Sequence, residues 1–79
     1  MAISDRLVPL ICRRLRIDAD KIVPEARFRE ELKANSLALI LLQIDIEEEF
    51  NTEISEEDSK DIVSLQSAVE YLALKGIRD

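Results

Sequence analysis

A chain of 79 residues can build one small hydrophobic core but not a deep, enclosed catalytic cleft, so residues 1–79 are expected to form a single domain. The formal net charge of -6, from 17 acidic and 11 basic residues, argues against binding to a nucleic-acid backbone and for partners that carry basic patches. The chain contains no His, which removes Ser-His and Cys-His nucleophile pairs and the commonest metal ligand, so neither catalysis nor a metal site is expected.

With 47% hydrophobic and 35% charged residues, one Gly and two Pro, the composition is that of a packed helical protein. Cys12 is the single cysteine, so no intramolecular disulfide forms and a reducing compartment, the cytoplasm, is the simplest expectation. Nowhere does the chain reach the roughly 18 uninterrupted apolar residues of a membrane span, and no basic start precedes a long apolar run. A soluble protein is expected.

Ile3, Leu7, Leu10, Ile11 and Leu15 recur at helical spacing and predict a first helix from about Ser4 to Leu15, capped by Ser4 or Asp5. Pro9 lies near its start and predicts either a later beginning or a bend. Cys12 falls opposite the apolar stripe, as an incidental thiol on the surface or rim. From Asp18 to Ala34 the periodicity is lost, and Val23-Pro24 enforces an extended step. This long connector needs anchors, for which Ile22, Phe28 and Leu32 are the candidates, with a helical turn expected near Glu25 to Phe28.

A second helix is predicted from about Ser36 to Phe50, with Asn35 as its N-cap because the side-chain oxygen can accept a free first-turn N–H. At about 100° per residue, Leu39, Leu42, Ile46 and Phe50 share the core side. Leu37, Ile40, Leu41 and Ile44 fall opposite, followed on the same face by Glu47 and Glu48. So short a chain has little with which to cover that second stripe, so an exposed apolar patch bordered by acid is expected beside Ser36. An anionic phosphodiester on Ser36 would be electrostatically tolerated at the positive end of this helix, the alternative being a capping Asn35 or Ser36 with no chemistry.

Asn51 to Ser55 marks a break, and Ser55 with Asp58 predicts a capping box for a short third helix that ends by Ile62. Ser64 is expected to cap a last helix whose buried stripe is Leu65, Ala68, Val69 and Leu72, with Gly76 as its stop. The expected fold class is all-α: a four-helix bundle with a long first loop and a short third helix. Acids crowd the region from Glu47 to Asp58, while Arg6, Arg13, Arg14 and Arg16 occupy the first helix. The acids form either a solvated face or a docking surface for basic partners. Glu47, Glu48 and Glu49 lack a second convergent cluster and specify no metal site beyond loose divalent binding.

In order along the chain, the first helix, the long loop, Leu32-Lys33-Ala34-Asn35-Ser36-Leu37, Glu47-Glu48-Glu49-Phe50-Asn51-Thr52-Glu53-Ile54, the short helix and Val69-Glu70-Tyr71-Leu72 resemble the acyl carrier proteins over nearly the whole chain. The resemblance implies that Ser36, matching the serine of the family's Asp-Ser-Leu motif, is esterified with 4'-phosphopantetheine by a holo-acyl-carrier-protein synthase. It further implies that the arm's thiol carries acyl intermediates, and that Leu37, Ile40, Leu41, Ile44, Glu47 and Glu48 face acyl-transfer or condensing enzymes of fatty-acid, polyketide or specialised lipid synthesis. Asn35 stands where the family usually has Asp, Lys33 where it usually has Gly, and Ala38 and Leu41 where fatty-acid carriers often have acids. Asn35 keeps the capping oxygen without the charge, so slow modification or a dedicated synthase is expected. The apolar replacements imply a less basic, more hydrophobic docking groove and hence a dedicated pathway. The expectation is a specialised, monomeric, free-standing carrier. An unmodified helical adaptor that keeps the fold, or an aminoacyl or peptidyl carrier, is the alternative.

Overall fold

The computed structural model describes residues 2–77. Helix α1 (Ile3–Leu15) buries Ile3, Leu7, Leu10 and Ile11 along one side, as their spacing predicts, while Leu15 and Cys12 are half-buried at its edge. It begins earlier than expected. Ala2 occupies the N-cap position, and the Asp5 carboxylate accepts the Ala2 N–H at 3.2 Å, so neither Ser4 nor Asp5 is the cap residue. Pro9 lies well past the first turn, where its ring faces solvent and its missing N–H removes one helical bond without ending the helix.

The connector that follows is held by backbone bonds to the far end of the chain. A short 3-10 turn at Ala19–Lys21 replaces the turn expected near Glu25 to Phe28. Pro24 instead occupies the second position of a β-turn closed by Ala26 N–H to Val23 O at 3.1 Å. Arg27 then forms an isolated antiparallel bridge with Ser64. Phe28 N–H donates to Val63 O at 2.8 Å, and Gln66 N–H donates to Pro24 O at 3.0 Å. These bonds satisfy backbone groups that an unstructured loop would leave to water. Ile22 and Phe28 are buried anchors as predicted; Ala26 joins them, and Leu32 is only partly covered.

Helix α2 (Ser36–Phe50) buries Leu42, Ile46 and Phe50, with Leu39 half-buried beside them. It is tied to α1 by ion pairs at both ends of their contact: Arg14 holds the Asp45 carboxylate through two nitrogens, and Arg6 Nε donates to Glu49 Oε2 at 3.1 Å. Arg6 also donates to the Glu49 carbonyl at 2.8 Å and lies 4.3 Å over the Phe50 ring, closing the C-terminal end of α2.

Helix α3 (Glu56–Ser59) is a single turn. Ser55 caps it by accepting the Asp58 N–H at 3.0 Å, but the Asp58 carboxylate does not complete the expected box, because it accepts the Tyr71 hydroxyl at 2.9 Å. Helix α4 (Leu65–Leu74) buries Leu65, Ala68 and Leu72, and Val69 is half-buried. Ser64 caps it with Ser67 reciprocating, and Gly76, at φ 88, turns the chain so that Ile77 N–H reaches Leu72 O at 3.1 Å. Phe28, Leu7, Ile11, Leu42, Ile46 and Leu72 are the fully buried centre, drawn from the connector, α1, α2 and α4. The architecture is the all-helical, four-helix one that the sequence predicts, and no strand occurs among the described residues.

Candidate functional site

The start of α2 is built from three side chains. Asn35 lies in extended backbone (φ -91, ψ 172), and its Oδ1 accepts the Ala38 N–H at 2.8 Å, which satisfies a first-turn donor and fixes where the helix begins. Ser36 is therefore the first helical residue and is exposed to solvent. Its Oγ accepts a hydrogen bond from Arg29 Nη2 at 3.1 Å.

The backbone just before the cap explains how these groups meet. Lys33 has φ 61, in the left-handed region that favours glycine, and it reverses the chain so that Ala34 N–H reaches Phe28 O at 2.7 Å. A glycine-like conformation is thus kept at the position where the sequence lacks the glycine. That reversal folds the connector back over the helix start and sets Arg29 against Ser36. Arg29 was not singled out by the sequence, since no helical spacing links a loop residue to a helix seven positions later. The signal that could have drawn attention to it is a cation close to a helix start where the chain carries no acid at 33, 35, 36 or 38.

On the far side of α2 from the core, Leu37, Ile40 and Ile44 are 64%, 55% and 44% exposed, and Glu48 is exposed below them. Leu41 is half-buried. Glu47 lies on the same helical side but is half-buried, and its Oε2 accepts the Ile54 N–H at 2.7 Å, holding the loop after α2. The remaining acids are divided in the same way. The half-buried Asp45 and the exposed Glu49 pair with arginines of α1, where the hydrogen bond to Asp45 raises the Arg14 guanidinium above its ordinary value, and Glu53, Glu56 and Glu57 are exposed as well. Among the described residues no three His, Cys, Asp or Glu side chains converge as a metal site.

A cavity of about 280 Å³ opens beside the helix start, with Phe28, Leu39, Ile62 and Val63 in its wall and Arg29 and Gln43 at its border. Chemically, the Ser36 hydroxyl can be esterified but is not self-activated: its charged neighbour is a guanidinium, which donates hydrogen bonds and cannot act as a base.

Comparison with known proteins places this geometry. The family model for the phosphopantetheine attachment site matches residues 5–72, which include the whole site just described. The acyl carrier protein of Syntrophus aciditrophicus (strain SB) is 35% identical over 77 residues, an alignment covering 98% of this chain and 96% of that relative. The chain belongs to the acyl carrier protein family. As an acyl carrier it tethers acyl groups on covalently attached 4'-phosphopantetheine, interacts with acyl-handling enzymes and is not itself an enzyme. Among the described residues, no helix of the carrier is long and apolar enough to cross a membrane.

Proposed function

We propose that Ser36 is the attachment point and that the carrier presents its cargo, as a thioester on the arm, to a dedicated set of enzymes through the outer face of α2. The observation that carries this reading is the exposed Ser36 hydroxyl at the capped start of α2. Other serines have structural duties that argue against them: Ser64 is buried and caps α4, Ser67 reciprocates, Ser55 caps α3, and Ser59 donates to the Glu56 carbonyl.

Leu37, Ile40, Leu41 and Ile44, with Glu48 and the half-buried Glu47, form the face offered to a holo-acyl-carrier-protein synthase and to acyl-transfer or condensing enzymes. Three exposed branched aliphatic side chains in a row favour a partner groove more apolar than one built to read acids. Residues 1–79 act as one carrier domain, as a monomer, and the lone Cys12 fits a cytoplasmic setting. The apo protein, incubated with coenzyme A and a phosphopantetheinyl transferase of broad specificity, is expected to gain one arm, localised by peptide mass spectrometry to Ser36. Ser36→Ala abolishes the gain and Ser55→Ala leaves it. Asn35, which lacks the charge of the family's usual Asp, favours the competing reading of an unmodified adaptor, and a Ser36 that remains bare in this assay selects that reading.

A further inference from the structure

We propose that Arg29 is the counter-ion of the phosphodiester on Ser36, holding the root of the arm against the connector; this rests on Ser36 being the attachment point. Before modification, Arg29 Nη2 already lies 3.1 Å from Ser36 Oγ, the atom that becomes the bridging oxygen of the diester. The non-bridging oxygens, which carry the negative charge, are bonded to the phosphorus next to that oxygen. A guanidinium presents five N–H donors in a rigid plane, so it can keep one nitrogen near the bridging oxygen while another turns to a charged one.

The surroundings favour the pairing. Lys33, Asn35, Ala38 and Leu41 supply no carboxylate at the start of α2 that would compete for Arg29 or repel the phosphate. Glu31, two residues from Arg29, is turned to the Arg27 N–H at 3.2 Å, and Glu30 is exposed on the same loop. The positive end of α2 adds a field of the same sign as Arg29. The usual arrangement implied by the family's motif, an acid beside the serine, is therefore reversed in charge here: a neutral cap and a cation. Arg29 also lines the 280 Å³ cavity, so the group that holds the diester on Ser36 lies at that cavity's edge.

The test is phosphorus-31 NMR of the holo protein, whose diester gives its own resonance, recorded for wild type, Arg29→Gln and Arg29→Lys across a salt titration. Arg29 is exposed, so the apo variants are expected to keep their fold, checked by amide spectra that overlay away from residues 29–38. The wild-type resonance should differ from that of Arg29→Gln at low salt and move toward it as salt screens the pair, and Arg29→Lys should keep the salt dependence with a smaller displacement. The Arg29 side-chain N–H signals should exchange with water more slowly in the holo than in the apo protein. Identical phosphorus shifts for wild type and Arg29→Gln at every salt concentration, or a difference that salt does not change, would overturn the role of Arg29 and leave the attachment at Ser36 standing. A protein with no phosphorus on Ser36 would overturn the attachment itself.

Discussion

Helix α2 must serve two sides at once, and paired substitutions at neighbouring positions test whether it does. Leu42 is 1% exposed and lies in the centre of the core, whereas Ile40, two residues away, is 55% exposed on the outer face. Truncating a buried leucine to alanine loses its transfer free energy and leaves a cavity, about 2 to 5 kcal/mol together. A domain of this size has a total stability of about 4 to 12 kcal/mol, so Leu42→Ala removes a large share of it. Ile40→Glu removes little burial and adds a solvated charge, and should stay within about 0.5 kcal/mol. Ile40 is a cleaner probe than Leu41, which is half-buried. In urea titrations, with a slope near about 1 kcal/mol/M for so small a protein, the Leu42→Ala midpoint should fall by about 2 M or more. The Ile40→Glu midpoint should barely move, while its binding to a cognate enzyme weakens. Equal losses of stability in the two variants would refute the division of α2 into a core side and an outer face.

Asn35→Ala deletes the acceptor for the Ala38 N–H and should cost about 0.5 to 2 kcal/mol by thermal denaturation. Asn35→Asp keeps the acceptor, adds about 0.3 to 1 kcal/mol through the helix dipole, and should speed modification by a synthase that expects an acid there; equal rates would show that the missing charge at Asn35 does not limit modification. Glu47→Ala leaves the part-buried Ile54 N–H without its partner and should cost about 1 to 2 kcal/mol, against about 0.5 kcal/mol or less for Glu48→Ala; similar costs in chemical denaturation would contradict the separate roles of these neighbours. Burial first, and then the hydrogen bond to Asp58, raise the Tyr71 phenol above its ordinary value of 10.0. The folded state therefore holds that proton more tightly than the unfolded chain, so the contribution is complete below about pH 10 and is lost as pH rises through the folded value. The stability difference between wild type and Tyr71→Phe should be flat below that pH and shrink above it, and a difference that grows on the alkaline side would show the sign to be wrong.

Local rules made α2 and α4 legible. Asn35 and Ser64 are strong caps placed directly before apolar runs, and both cap in the structure as expected. The same rules misplaced the start of α1, because Ser4 and Asp5 compete as caps on paper while the Asp5 carboxylate serves from inside the helix, with Ala2 in the cap position. Asp58 was half legible for a related reason: its N–H obeys the local box, but its carboxylate answers to Tyr71 on another helix. The connector hid its most ordered features, since the bridge from Arg27 to Ser64 and the bond from Phe28 to Val63 join residues far apart in sequence. Tertiary contacts likewise divide neighbouring acids between different duties. From the sequence, Glu47, Glu48 and Glu49 are three consecutive carboxylates; in the fold Glu47 is half-buried and holds a loop, while Glu48 and Glu49 are both exposed and Glu49 pairs with Arg6. Arg29, only seven residues from Ser36, was hidden for a different reason: the left-handed turn at Lys33, and no periodicity, brings it there.

The attachment of the arm is tested most directly by the intact mass of the protein purified from its native host, compared with that of Ser36→Ala expressed in the same cells. Wild type should carry one 4'-phosphopantetheine, free or acylated, and the variant none, with fragmentation placing the group on Ser36. A wild-type protein of unmodified mass, or an arm that persists in Ser36→Ala, would contradict it.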